Sequence, residues 1–186
     1  SITIPSAVTS IGDEAFRYSG LTSITIPESV TSIGDKVFKS ATSLTSVTFE
    51  ANSQLTSIGD QAFSYSVLTS ITIPSTVESI GNSAFQNCSD VTSIIFGENS
   101  QLTEIGEYVF NGANSLTLVI IPKGVTSIGN NAFYYSGLEI VYVSKSNLST
   151  IGLSYGINET IYGKQDVNIV SYYPTIINDS SNNEIE

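Results

Sequence analysis

The sequence predicts a β-rich solenoid of about seven short repeats, stacked so that their apolar sides share one continuous core. Three observations predict it. The block Leu21-Thr22-Ser23-Ile24-Thr25-Ile26-Pro27, followed by Val30, Ile33-Gly34 and Phe38, returns along most of the chain. Its phenylalanines, Phe16, Phe38, Phe63, Phe85, Phe110 and Phe133, are spaced 22, 25, 22, 25 and 23 residues apart. An Ile-Gly pair recurs at Gly12, Gly34, Gly59, Gly81, Gly106, Gly129 and Gly152. Self-similarity at a period of 20–50 residues signals units that cannot bury their own apolar faces and must stack.

Each part of the repeat has a physical reading. In Leu21 to Ile26 the β-branched residues and the alternation of Ile24 and Ile26 with Ser23 and Thr25 describe a short strand with the isoleucines inward. Pro27 lacks an N–H and ends that strand. Val30 and Ile33 return a second extended segment to the core. Gly34 suits a tight turn with φ > 0. Asp35, like Asp13, Asp60, Asn82, Glu107 and Asn130, then falls where a side-chain oxygen caps a single helical turn that carries Phe38 inward. Two buried columns are therefore expected: the phenylalanines, and Ile24, Val47, Ile71, Ile94, Val119 and Val141. The longer repeats share an insertion, Asn52-Ser53-Gln54-Leu55-Thr56 and Asn99-Ser100-Gln101-Leu102-Thr103, which points to duplication of a two-repeat unit.

The pattern Leu-x-x-Ile-x-Ile-Pro-x-x-Val-x-x-Ile-Gly-x-x-Ala-Phe resembles the BspA-type (treponemal-class) leucine-rich repeat. Leu68, Ile71, Ile73, Pro74, Val77, Ile80, Gly81, Ala84 and Phe85 reproduce it, and Cys88 stands where that family often places a cysteine. The resemblance implies a leucine-rich-repeat solenoid with short helical turns and a parallel sheet on its concave face. It also implies a secreted or surface-displayed protein used in adhesion to host or matrix proteins. It brings no shared catalytic residues. The repeat array is expected over residues 1–156 with its first repeat truncated, a capping segment over 157–174, and a polar tail or linker over 175–186. Within the capping segment, Ile161-Tyr162 and Val167–Val170 read as strands of a hairpin. Because Ser1 begins inside a repeat, the chain reads as an excised piece or a mature product.

Composition narrows the function classes. The 186 residues are 40% hydrophobic and 12% charged, with a net charge of −11 from 17 acidic and six basic residues. Such a charge repels phosphate backbones, so no nucleic-acid partner is expected. No apolar run approaches the ~20 residues of a membrane span, so no membrane insertion is expected either. One cysteine allows no internal disulfide.

Catalytic signals are thin. Gly152-Leu153-Ser154-Tyr155-Gly156 matches the nucleophile elbow, but the elbow needs a base for its serine and the chain has no histidine. Gly152 is simply the Ile-Gly glycine of the last repeat. The acidic residues are scattered over turns rather than paired as glycoside hydrolysis requires. No calcium-loop or zinc spacing occurs, so neither a cofactor nor a metal is expected. Cys88 reads as a small buried hydrophobe. Sequons at Asn87, Asn147, Asn158 and Asn178 are expected from composition alone.

The outward strand positions carry the functional expectation. Early repeats place Thr25, Thr48 and Thr72 there, beside Ser23, Ser46, Ser70 and Ser93, a hydroxyl array that suits exposed β positions and offers a surface to ice or a glycan. Later repeats place Ile95, Leu118, Ile120, Ile140 and Tyr142 there, an apolar group that either binds a partner or lies under the segment after Gly156. The sequence thus predicts a non-enzymatic module that binds a protein, matrix ligand or glycan through its sheet face. The alternatives are a structural spacer and, more remotely, a carboxylate-dependent glycan-active enzyme.

Overall fold

The structure, a computed structural model, describes residues 2–144, 156–161 and 164–172. Each full repeat contributes two strands and one turn segment. The short strands are β1 (Ser10–Ile11), β3 (Ser32–Ile33), β5 (Ser57–Ile58), β7 (Ser79–Ile80), β9 (Glu104–Ile105) and β11 (Ser127–Ile128). They form one six-stranded parallel sheet in chain order. The longer strands are β2 (Ser23–Ile26), β4 (Ser46–Phe49), β6 (Ser70–Ile73), β8 (Ser93–Phe96), β10 (Leu118–Ile121) and β12 (Ile140–Ser144). These pair in parallel as β2 with β4, β6 with β8 and β10 with β12. The strand pairing lapses between β4 and β6 and between β8 and β10, each time after the strand of a longer repeat. The solenoid has six turns among the described residues. The seventh Ile-Gly pair, Ile151-Gly152, lies outside them.

Both expected columns form. Phe38, Phe63, Phe85, Phe110 and Phe133 are fully buried. From Phe16 to Phe133, neighbouring rings stack with centroids 5.1–5.8 Å apart and planes within 18°. Ile24, Val47, Ile71, Ile94, Val119 and Val141 are buried beside them. Phe16 is only partly buried, because a ring lies on just one of its faces among the described residues. Cys88 occupies a column with Ala41, Ser66 and Ala113, all buried.

The turn segment differs from expectation. No helix forms there among the described residues. In the segment Lys36–Ser40, Lys36 and Ser40 both have φ of 56°, which no right-handed helix accommodates. The cause lies in the hydrogen bonds. Lys36, Phe38 and Ser40 donate their N–H groups to Asp60, Ala62 and Ser64 of the next repeat at 2.7–2.8 Å, while Lys39 and Ala41 close turns on Lys36 and Phe38. A helix would need those alternate N–H groups for its own carbonyls. The stack uses them instead as a third ladder between repeats, beside the two rows of strands.

The carboxylates and amides expected as helix caps join that ladder. Asp13, Asp35 and Asp60 each accept, through Oδ1, the backbone N–H of Asp35, Asp60 and Asn82 respectively, at 2.7–2.8 Å. Asn82 does the same for Glu107 at 2.8 Å. The Ile-Gly glycines also have a different reason from the expected positive φ, which among the described glycines only Gly112 shows. A Cβ on Gly34, Gly81 or Gly106 would sit 2.8–2.9 Å from the backbone nitrogen of Asp13, Asp60 or Asn82 in the preceding repeat. Glycine is needed because adjacent repeats approach too closely for a side chain. Gly12 meets nothing within 4 Å.

Candidate binding surface

Along the longer strands, alternate residues leave the core, and parallel register sets them side by side. One outward row runs Ser23, Ser46, Ser70, Ser93, Leu118, Ile140; the other runs Thr25, Thr48, Thr72, Ile95, Ile120, Tyr142. Thr25 pairs with Thr48, Thr72 with Ile95, Leu118 with Ile140, and Ile120 with Tyr142. Both rows turn from hydroxyls to apolar side chains as the stack advances. Thr25, Thr48 and Thr72 are exposed. Ile95, Leu118 and Ile120 are 54%, 38% and 50% exposed, whereas Ile140 and Tyr142 are half-buried.

The chain after Gly156 adds to this sheet at its edge. Strand β13 (Gly156–Ile161) runs antiparallel to β14 (Lys164–Tyr172), and β14 pairs in parallel with β12, placing Asn168 opposite Ile140 and Val170 opposite Tyr142. This pairing extends the sheet at its edge beyond β12, and Ile95, Leu118 and Ile120 are exposed. The Ser154 region lies outside the described residues.

The hydroxyl end has its own feature. Where β4 and β6 part, a groove of about 670 Å³ opens, lined by Ser46, Thr48, Ser70 and Thr72 with Glu50 and Gln54 at its loop end. Thr76 also lines it, its hydroxyl donating to the Leu55 carbonyl at 2.7 Å and lying 3.1 Å from that of Ser53.

Cys88 is inaccessible, and burial pushes its thiol up from 9.0 to about 11. Its sulfur lies 3.1 Å from the Phe63 carbonyl and 3.4 Å from the Ser66 hydroxyl. A thiol held neutral in this way is a poor nucleophile. Among the described residues no three side chains of metal-ligating type converge.

A surface that the sequence reading missed lies on the turn ladder. Tyr18, Tyr65, Tyr108 and Tyr135 are 37–67% exposed there, each at φ between 53° and 60°. Tyr134 lies beside Tyr135 with ring centroids 3.9 Å apart, and its phenol is raised above the ordinary value chiefly by a hydrogen bond to Tyr135. A signal for these positions was present. Asn87 and Gly112 share the column of Tyr65 and Tyr135, and Asn131 that of Tyr108, and Asn and Gly mark left-handed backbone.

Comparison with known proteins fits this architecture. A family model for the BspA type leucine rich repeat region matches six copies, over residues 1–100 and 48–160. No curated protein sequence matches significantly. Among solved structures, the pneumococcal vaccine antigen PcpA is similar at 31% identity and a TM-score of 0.74, over 78% of this chain and 40% of that one. A leucine rich cell surface protein of Faecalibacterium prausnitzii A2-165 is similar at 31% identity and a TM-score of 0.54, over 76% of this chain and 46% of that one. The T. pallidum leucine rich repeat protein, at 20% identity and a TM-score of 0.51, shares the fold. The chain thus spans less than half the length of the first two. With the repeat, its ladders and these likenesses in agreement, the chain belongs to the BspA-type leucine-rich repeat family.

Proposed function

We propose that this chain is a non-enzymatic adhesion module, displayed at a cell surface, that grips a protein partner through the outward face of its C-terminal sheet. The observation that carries this reading is the apolar group of Leu118 and Ile120 with Ile140 and Tyr142 on the in-register strands β10 and β12, preceded along the stack by exposed Ile95 on β8. Soluble proteins seldom leave aliphatic side chains exposed on adjacent strands unless a partner covers them. Surface display is supported by the two relatives at 31% identity, one described as a vaccine antigen and the other as a cell surface protein. The absence of histidine throughout the chain and the buried, neutral Cys88 argue against acid–base or thiol catalysis.

Replacing Leu118→Asp together with Ile120→Asp tests the assignment. Both side chains are partly solvated, so each change should cost no more than about 1 kcal/mol and the pair about 2 kcal/mol. Binding to a panel of immobilised extracellular-matrix proteins should be lost. Unchanged binding, or collapse of the fold, refutes the site.

A further inference from the structure

The turn ladder separates two kinds of exposed apolar residue. Among the residues whose burial is described, and beyond Ile2 near the N-terminus, the large exposed aliphatics, Ile95, Leu118 and Ile120, lie on the sheet face. The large exposed aromatics among them, Tyr18, Tyr65, Tyr108 and Tyr135, lie on the turn segments. All four tyrosines occupy left-handed backbone, a conformation costly to a residue with a bulky side chain. Asn and Gly stand in the same columns at Asn87, Gly112 and Asn131, so the fold does not require tyrosine there. Nor do exposed rings contribute core packing. The turn imposes left-handed backbone at these positions in every described repeat, on Glu14, Lys36, Ser40, Gln61 and Ser83 as well, so what points to function is the choice of exposed aromatic rings where Asn or Gly would fit the backbone better.

The polar groups around the rings indicate the ligand. From Tyr65 to Tyr135 the turn segments present the amides of Gln86 and Asn131 with phenol and hydroxyl groups, and no Lys or Arg; the Asn111 amide is buried beside Gln86, and Lys39 donates to Gln61 one repeat earlier. Gln86 Nε2 donates to Asn111 Oδ1 at 3.4 Å, and Asn131 Nδ2 donates to the Tyr108 hydroxyl at 3.1 Å. The bordering column carries Asp60 and Glu107, which repel anionic polymers. Rigid aromatic faces interleaved with neutral donors and acceptors, and no aliphatics among them, suit sugar rings, which offer C–H faces and hydroxyl rims. Tyr108 stands two residues before its buried phenylalanine and Tyr135 two residues after, on consecutive repeats whose buried rings are 5.4 Å apart.

From these features we infer that the turn face from Tyr65 to Tyr135 is a binding site for a neutral glycan chain, with Tyr108 and Tyr135 as its stacking platforms. It is separate from the sheet face that binds the protein partner.

Isothermal titration of the chain with cellohexaose, xylohexaose, mannohexaose and chitohexaose, and with a heparin hexasaccharide as the anionic control, tests it. At least one neutral hexaose should bind and the heparin fragment should not. Tyr108→Ala with Tyr135→Ala should weaken that binding at least tenfold, while Leu118→Asp with Ile120→Asp leaves it intact. Tyr135→Gly should weaken it as well without lowering Tm, because glycine accepts that backbone; this separates lost contact from lost fold. Absence of binding to every neutral hexaose overturns the inference. So does binding that survives the tyrosine changes or is lost with the sheet-face pair, and so does a matrix protein whose capture depends on Tyr108 and Tyr135 when no sugar binds.

Discussion

Phe85→Ala is the sharpest test of the stacking that holds the solenoid together. The Phe85 ring is fully buried, with Phe63 at 5.1 Å on one side and Phe110 at 5.8 Å on the other. Burial of such a side chain is worth roughly 1.5–3 kcal/mol. Each aromatic neighbour adds about 0.5–1.5 kcal/mol, and little of the void can collapse between rigid repeats. The expected cost is therefore about 3–5 kcal/mol, the usual range for Phe→Ala in a core. Phe16→Ala is the matched control. Its ring is only partly buried and stacks on Phe38 alone, at 5.3 Å, so about 1–2 kcal/mol is expected from the same terms. Urea titration followed by far-UV circular dichroism measures both. The Phe85 variant should also unfold over a broader range, because stability in a stack is a sum over neighbours and the change uncouples its two halves. Equal costs for the two variants would refute the idea that stacking between repeats, rather than local burial, sets the stability.

Two further predictions follow from the close approach of the repeats. Gly81→Ala should destabilise by about 1–3 kcal/mol, since its Cβ would meet the Asp60 nitrogen at 2.8 Å; Gly12→Ala, with nothing within 4 Å, should be neutral or slightly stabilising. Equal thermal shifts for the two would contradict the packing reason given for these glycines. Cys88 should resist thiol reagents at neutral pH and react only on unfolding. Its pKa is raised by burial, so its contribution to stability is fully present below pH 9.0, the unfolded value, and is lost as pH climbs through about 11. Subtracting the pH–stability curve of Cys88→Ala, a residue already found in that column at Ala41 and Ala113, should isolate a fall confined to that window. A flat difference would show that the thiol is hydrated.

The core was legible in the sequence because period and chemistry agree there. A phenylalanine at every turn and isoleucines alternating with Ser and Thr leave one way to bury them all. The turn segment was not legible at the same level. Asp35 followed three residues later by Phe38 suits a capped helical turn as well as the open turn that forms. Only the demand of the next repeat for the N–H groups of Lys36, Phe38 and Ser40 decides between them. That demand is a property of the stack, invisible in any single repeat. The glycines show the same limit. A conserved-looking Ile-Gly pair suggests a turn, whereas its cause is a neighbour 22 to 25 residues away. On the candidate sheet face, the outward residues followed from strand alternation, but the lapse of pairing after β4, which opens the groove beside Thr48 and Thr72, did not. The turn tyrosines were missed because tyrosine is not itself a signal of left-handed backbone.

Stacking also explains where the surface is free to vary. A core position must match the ring or methyl directly above and below it, so the phenylalanine column stays unchanged from Phe16 to Phe133. Backbone donors and acceptors are committed along three ladders, which fixes the repeat without consulting its exposed side chains. Outward side chains answer only to solvent and to whatever binds. On the sheet they change from Ser93 to Leu118 and from Thr72 to Ile95; on the turns they change from Ser83 to Tyr108 and from Gly112 to Tyr135. None of these changes improves the core, and each exposes apolar area at a cost of roughly 25 cal/mol per Å². They occur on two different faces and out of step: the sheet face turns apolar only from Ile95 onward, whereas exposed tyrosines stand on the turns already at Tyr18 and Tyr65. Faces that change independently answer to different contacts, so the Leu118/Ile120 and Tyr108/Tyr135 variants should each impair one interaction alone.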